Sequence, residues 1–145
     1  MHNWLLIFVG VTLFAATPAI AQRPSPPITA LAISPGGEQV IVGSQAGVRI
    51  YAWPELKEEG ALATKLVHVH DLAFSPQGDR LLAAGGAPEE AGVVEMWSWA
   101  EKERIASEKL HRDVIYKARW ATSGNQIVTA SADGETQIVE AKSLK

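Results

Sequence analysis

The sequence predicts an all-β chain that is built from repeated antiparallel sheets. Three windows of ten residues resemble one another, and each ends in a turn that contains glycine. Two further short apolar segments, rich in β-branched residues, follow each window. Helical repeats need long apolar stripes at 3.6-residue spacing, and the sequence contains none. Short strands joined by turns therefore account for the pattern.

The composition excludes several classes of function. Of the 145 residues, 47% are hydrophobic and 20% are charged, and the formal net charge is −3. This mild negative charge argues against a dedicated nucleic-acid binder, which needs a basic face to neutralise phosphates. The sequence has no cysteine, which excludes disulfides, thiolate metal sites and cysteine nucleophiles.

Residues 1–21 are interpreted as a signal peptide. The apolar run from Trp4 to Ala16 has the length of a signal-peptide core and is short for a membrane span. Ala19 and Ala21 supply the small residues of a cleavage site, so the mature chain is expected to begin at Gln22. An uncleaved membrane anchor is the alternative, since no lysine or arginine precedes the run. We expect an exported protein, periplasmic or secreted, without stable membrane insertion after cleavage.

The mature chain is predicted to contain a short lead and three repeats. Residues 22–27 (QRPSPP) form a Pro-rich lead, in which three prolines favour an extended segment. The repeats are assigned to residues 28–66, 67–108 and 109–145, and the third is incomplete.

The windows that define the repeat align without gaps. They are residues 28–37 (ITALAISPGG), 69–78 (VHDLAFSPQG) and 115–124 (IYKARWATSG). Their first, fourth and sixth columns are apolar: Ile28, Val69, Ile115; Leu31, Leu72, Ala118; and Ile33, Phe74, Trp120. The final glycine recurs after 41 and then 46 residues. A period near 40–45 residues is that of a four-stranded propeller blade.

The remaining strands are predicted from the same alignment. Second strands are expected around residues 40–42, 81–83 and 127–129, and third strands around 48–51, 93–97 and 136–139. Glycines in Ala46-Gly47 and Asp133-Gly134 predict short hairpins between them. The middle hairpin is expected to carry a wider loop over residues 87–92. Fourth strands are expected at residues 61–66 and 104–108, and the third repeat has none.

At these residues the chain resembles the WD-repeat β-propeller family. Residues 34–37 (SPGG) and 75–78 (SPQG) are similar to the family's Ser-Pro-Asp-Gly turn, and Asp133-Gly134 is similar to its hairpin. His111 lies nine residues before Trp120, which is the spacing that the family uses. The resemblance covers nearly all of residues 28–140. It implies antiparallel β-sheet blades of a partial WD-repeat-type β-propeller.

The resemblance also implies a structural hydrogen-bond network. In the family, a buried His–Ser/Thr–Asp–Trp set ties together the strands of one blade. The third repeat matches three members, His111, Thr129 and Asp133, but has Val139 at the tryptophan position. The second repeat has the terminal tryptophan, Trp97, without the other members. The blades are therefore expected to depend mainly on apolar packing.

The number of repeats is too small for a closed propeller. Propellers close with four to eight blades, which protects their edges. Both ends of an array of about three blades expose apolar surface that needs a partner. The chain is expected to be part of a larger propeller, to associate with copies of itself or with another protein, or to adopt an unusual compact form.

Two constellations point to chemistry more weakly. His68 and His70 lie two residues apart on a predicted strand, where both imidazoles leave the same face and, with Asp71 or Glu89, could hold a metal. Without a third recognisable ligand, this pair is more simply explained as polar residues near the start of a blade. No metal or other cofactor is expected.

His111, Asp113 and Ser131 contain the residue types of a hydrolytic triad. No nucleophile elbow accompanies them, and the resemblance gives His111 a structural role. We therefore expect no catalytic residues. The loop Pro88, Glu89 and Glu90 departs most from the family pattern and is the candidate partner-contact loop, since loops on rigid scaffolds carry recognition.

These observations predict a non-catalytic protein–protein interaction scaffold of WD-like repeats that is exported and forms part of a larger propeller. The alternative is a fragment of a periplasmic β-propeller enzyme, a hydrolase or an oxidoreductase. Such an enzyme needs inward-facing carboxylates or histidines from several blades, and this chain offers few.

Overall fold

The computed structural model describes residues 25–145, and the regular structure of this part is entirely β-strand. The prediction of an all-β fold is confirmed. The strands are β1 (Ile28–Ile33), β2 (Gln39–Ser44), β3 (Gly47–Ala52), β4 (Glu58–Leu62), β5 (His68–Phe74), β6 (Arg80–Ala87), β7 (Ala91–Ser98), β8 (Arg104–His111), β9 (Ile115–Trp120), β10 (Gln126–Ser131) and β11 (Thr136–Glu140). The signal-peptide prediction lies outside the described residues. Residues 25–145 contain no apolar helix of sufficient length to span a membrane.

The strands form three antiparallel sheets, and each sheet is a meander. Sheet 1 has the order β1-β2-β3-β4, sheet 2 the order β5-β6-β7-β8, and sheet 3 the order β9-β10-β11. Tight turns join neighbouring strands, as the antiparallel arrangement permits. Sheet 3 has three strands, as the sequence predicts. Between residues 25 and 145 the sheets do not close into a ring, and sheets 1 and 3 each leave one face uncovered.

The first, second and third strands of each sheet contain the residues predicted for them, whereas the fourth strands differ. The first-repeat strand predicted at residues 61–66 is wrong, because β4 spans Glu58–Leu62. The carboxylate of Glu95 accepts hydrogen bonds from Thr64 and Lys65, which holds these two residues at the crossing to sheet 2. Strand β8 continues to His111, beyond the boundary assigned to the second repeat.

The wide loop predicted over residues 87–92 is also wrong. Gly86 pairs with Gly92, and Ala87 pairs with Ala91, so that only residues 88–90 form the turn. Glu89, the middle residue of this turn, adopts a left-handed backbone conformation with a φ of 59°. A Cβ atom on Gly86 would lie 1.9 Å from the carbonyl oxygen of Ala91, so glycine permits the strands to continue here.

The sheets stack on one another with sheet 2 in the middle. Alternate side chains of β6 leave opposite faces, as in any strand. Leu81 and Ala83 pack against sheet 1, whereas Leu82 and Ala84 pack against sheet 3. We call the face of sheets 2 and 3 that packs on the preceding sheet the front face, and the face of sheets 1 and 2 that packs on the following sheet the back face. The exposed face of sheet 1 is then its front face, and the exposed face of sheet 3 is its back face. Sheet 2 is buried on both faces, which explains the continuous apolar run of β6.

The same strands make the contact at both internal interfaces. Strands β1, β2 and β3 lie against β5, and strands β5, β6 and β7 lie against β9. The approach of β2 to β5 is close at Gly43, where an added Cβ atom would lie 2.5 Å from Cγ1 of Val69 and 3.0 Å from Cβ of Ala30. Glycine is thus required by the packing of sheet 1 on sheet 2.

We predict that Gly43→Ala lowers the free energy of unfolding by about 1–3 kcal/mol, because the added methyl group overpacks this interface. Gly60→Ala is the matched control, since a Cβ atom on Gly60 in β4 meets no heavy atom within 4 Å. The control is expected to change stability by at most about 0.5 kcal/mol. Urea denaturation measures both variants, and equal effects would contradict the close approach.

Candidate interaction surfaces

His111 ends β8 and links sheet 2 to sheet 3. Its Nε2 atom lies 2.7 Å from Oγ1 of Thr129 on β10, and its Nδ1 atom lies 3.1 Å from Oδ2 of Asp133. An ionised carboxylate only accepts hydrogen bonds, so Nδ1–H donates to Asp133, while Nε2 is hydrogen-bonded to Oγ1 of Thr129. The structure brings these three residues together. They join two sheets, however, which corrects the expectation of a network within one sheet.

Asp133 organises the turn between β10 and β11. Its carboxylate accepts hydrogen bonds from the backbone N–H groups of Glu135 and Arg112 as well as from His111. Burial raises the pKa of Asp133, but these hydrogen bonds, with a further one to Ser131, outweigh burial and hold the pKa at about 2. Asp133 is therefore ionised at neutral pH, and its carboxylate holds the turn through these hydrogen bonds.

Trp97 lies apart from this network. Its side chain is buried in the cluster between sheets 1 and 2, and the guanidinium carbon of Arg104 lies 5.9 Å from the ring centroid. Its Nε1 atom has no hydrogen-bond partner within the described part of the chain. Trp97 thus contributes packing on the front face of sheet 2.

A second polar junction, which the sequence analysis missed, is built on Glu95. This fully buried carboxylate accepts hydrogen bonds from Oγ1 of Thr64 at 2.7 Å, the backbone N–H of Lys65 at 3.1 Å and Nη1 of Arg104 at 2.6 Å. It holds the segment that crosses from sheet 1 to sheet 2. The signal in the sequence is a single carboxylate inside the apolar strand VVEMW.

Asp71 forms a third junction, between β5 and β9. Its buried carboxylate accepts a hydrogen bond from the backbone N–H of Ala118 at 2.9 Å and from the guanidinium of Arg119. Nζ of Lys117 lies 3.4 Å from the other oxygen. The sequence offers Asp71 as a possible metal ligand beside His68 and His70, but in the structure its carboxylate binds residues of sheet 3.

The rings of His68 and His70 stack with centroids 5.9 Å apart, and Tyr116 meets His70 edge-on at 5.6 Å. Burial, followed by the neighbouring His68, lowers the pKa of His70. In the described part of the chain, the two histidines belong to no group of three His, Cys, Asp or Glu ligand atoms that all lie within 4.8 Å of one another. The structure thus does not assemble Asp71 or Glu89 with the two imidazoles into such a group.

One cluster of potential ligands, which the sequence analysis did not single out, comprises His111, Asp133 and Glu135. Both ring nitrogens of His111 are already engaged by Thr129 and Asp133. The hydrogen bonds of this cluster account for its arrangement.

The residues of the triad hypothesis are not assembled as a triad. Ser131 Oγ lies 3.0 Å from the backbone carbonyl oxygens of both Asp113 and Val114. The carboxylate of Asp113 accepts from the N–H groups of Val114 and Glu89. Neither residue contacts the ring of His111 through a hydrogen bond. These side chains hold the connection between β8 and β9.

The candidate contact loop is a short, anchored turn. The side chains of Pro88, Glu89 and Glu90 are exposed. The N–H of Glu89 donates to Asp113 at 2.9 Å, and Nζ of Lys109 donates to the carbonyl of Glu90 at 2.8 Å. The two glutamates thus project from a fixed backbone at the end of the hairpin formed by β6 and β7.

The uncovered front face of sheet 1 exposes positions that are buried in the other sheets. Ile28 is 67% exposed, whereas its repeat counterparts Val69 and Ile115 are fully buried. Leu31 is 61% exposed, against 4% for Leu72. In sheet 1, therefore, no neighbouring sheet of the described residues covers these repeat positions. We call Ile28, Leu31 and Ile33 the front end face.

The uncovered back face of sheet 3 shows the same contrast. Ile138 is 68% exposed, whereas Met96 and Ile50, which occupy the equivalent register positions, are 2% and 4% exposed. Val128, the counterpart of the buried Leu82, is also exposed. We call Val128 and Ile138 the back end face. The exposure of apolar positions that are buried in the other sheets makes the two end faces candidate interaction surfaces.

A comparison with models of known protein families finds no match for this chain. The candidate surfaces therefore depend on the geometry of the three sheets alone.

We predict that Asp133→Asn destabilises the protein in a pH-dependent manner. The folded pKa of about 2 lies below the ordinary value of 3.8, so the ionised carboxylate stabilises the fold above about pH 4 and loses this effect as the pH falls towards 2. The difference in unfolding free energy between wild type and variant should shrink over that range. Denaturation curves at several pH values measure it, with Glu101→Gln as an exposed control. A constant difference would contradict this role of Asp133.

Proposed function

We propose that the chain is a non-catalytic protein–protein interaction scaffold built from WD-like repeats, and that it works within a larger assembly of sheets. The observation that carries this proposal is the exposure of the two end faces. Each end face presents aliphatic side chains at repeat positions that the other two sheets bury against a neighbouring sheet. A binding partner that covers these faces would remove this apolar surface from water.

The arrangement of the repeats supports the WD-like assignment. The second and third strands pair in matching register, so that Ile41 pairs with Ile50, Leu82 with Met96, and Val128 with Ile138. In the third repeat, His111, Thr129 and Asp133 are hydrogen-bonded, as the resemblance implies.

The use of the polar groups favours a scaffold over an enzyme. Asp71, Glu95 and His111 are buried at sheet junctions, and each is bonded to a residue of a neighbouring strand or connection. Buried and satisfied networks of this kind rigidify a structure. Their side chains stabilise the stack, and we propose no chemical step for them.

Site-specific photo-crosslinking tests the interaction function. A photoreactive amino acid replaces Leu31 on the front end face or Ile138 on the back end face in cells that produce the chain. Ile105, which is exposed on β8 away from both faces, is the matched control. Discrete protein adducts from the two end faces and none from Ile105 are expected. No adducts, or the same adducts from all three positions, would contradict the proposal.

Export is a separate proposal, which is carried by the signal-peptide pattern of residues 1–21. Mass spectrometry of the chain from a bacterial producer is expected to show an N-terminus at Gln22 in the periplasmic or secreted fraction. A chain that keeps Met1 and stays in the cytoplasm would contradict it.

A further inference from the structure

We propose that the back end face of one copy of this chain binds the front end face of a second copy, so that the copies join head to tail. This inference rests on the proposed interaction function and names the partner. It extends to a second molecule the way in which the sheets already pack within one molecule.

The internal packing follows one rule at both interfaces. The back face of sheet 1 packs on the front face of sheet 2, and the back face of sheet 2 packs on the front face of sheet 3. In each case the first, second and third strands of one sheet lie against the first strand of the next. The rule is directional, because a front face always meets a back face.

Applied once more, this rule places β9, β10 and β11 of one copy on β1 of another. The exposed aliphatic side chains are found on these strands. Val128 lies on β10 and Ile138 on β11, whereas Ile28, Leu31 and Ile33 lie on β1. The chain thus carries both halves of a further interface of its own type.

The residue types on the two end faces match those of the internal interfaces. Between sheets 2 and 3, Leu82 and Met96 share a cluster with Ile115 of β9. Between sheets 1 and 2, Ile41 and Ile50 share a cluster with Val69 and Leu72 of β5. An intermolecular contact would pair Val128 and Ile138 with Ile28 and Leu31. Apart from the unbranched Met96, the side chains named on both sides of these contacts are branched aliphatic ones.

The charged groups beside the end faces have partners within the chain. On the front side, Nη1 of Arg49 lies 2.8 Å from a carboxylate oxygen of Glu58. On the back side, Nε2 of Gln126 donates to Glu140 at 3.0 Å, and the guanidinium of Arg119 is bonded to Asp71. Docking therefore leaves these groups paired, whereas an unpaired buried charge would oppose it.

Head-to-tail contacts can also cover every end face in an assembly of two copies. Each copy has one front and one back end face, so a ring of two copies covers all four. A heterologous contact gives such a ring when its rotation closes and an open chain when it does not. Residues 25–145 of two copies supply six sheets to such a ring, which lies within the four to eight of closed propellers.

The first experiment measures molecular mass by light scattering on the purified chain and on paired variants. Wild type should exceed the monomer mass. Ile138→Glu blocks the back end face and Leu31→Glu blocks the front end face, so either variant alone should be monomeric. Mixing the two should restore a one-to-one complex, because each retains the face that the other has lost. Ile105→Glu, the control for an added charge, should associate like wild type, and circular dichroism checks that all variants fold.

The second experiment uses the absence of cysteine from the sequence. Leu31→Cys and Ile138→Cys are each combined with a short bismaleimide, separately and as a mixture. The mixture should yield a cross-linked dimer with one copy of each, and the separate samples should not. Cross-linking of either variant with itself would overturn the head-to-tail arrangement, because it would join like faces.

The outcomes separate this inference from the proposed function. A strictly monomeric wild type whose end faces form photoadducts with a different protein overturns self-association and leaves the interaction function standing. A monomeric wild type without photoadducts overturns both. Adducts between two copies of this chain, from both Leu31 and Ile138, support both.

Discussion

The packing of one sheet face on the next is the interaction on which the rest of this structure depends. An isolated meander of three or four strands has no neighbour against which to bury an apolar face, and removing that apolar surface from water is the main favourable term in folding. Sheet 2 is sandwiched because Leu81 faces one neighbour and Leu82 faces the other. Each fully buried leucine side chain contributes about 1.5–3 kcal/mol relative to an exposed one. The stack is therefore the stable unit, and the single sheet is not.

Apolar packing alone leaves the relative position of two sheets loosely defined, and the buried polar residues remove this freedom. Asp71 accepts a hydrogen bond from the backbone of Ala118 in the next sheet, and Glu95 holds Thr64 at the crossing from the previous one. His111 reaches Thr129 in a third such contact. A buried polar group without its partner costs about 1–3 kcal/mol. Displaced arrangements therefore lose these bonds and are disfavoured.

The same packing rule explains why we propose the end faces as interaction surfaces. An internal sheet needs two neighbours, whereas sheets 1 and 3 each have one among residues 25–145. Their exposed aliphatic residues occupy the positions that make interfaces elsewhere in the molecule. This is why we regard these faces, and not the anchored turn at Pro88–Glu90, as the principal interaction surface. The proposed partner supplies the neighbour that each end sheet lacks.

Local features of the sequence predicted much of the local structure. Strand positions followed from short apolar segments that recur in each repeat, and hairpins followed from glycines such as Gly134, because both depend on the conformation of a few adjacent residues. The contacts among His111, Thr129 and Asp133 followed from the family resemblance. The junction roles of Asp71 and Glu95 did not, because an isolated carboxylate in an apolar strand does not show which neighbour it will meet.

What the sequence determined by itself is therefore the all-β class, the repeat and the first three strands of each sheet. Only the tertiary structure decided which apolar positions are covered. Ile28 and Val69 occupy the same column of the repeat, yet one is exposed and the other is buried. The physical reason is that burial belongs to a pair of sheets, and the residues of a single sheet do not specify whether a neighbour is present.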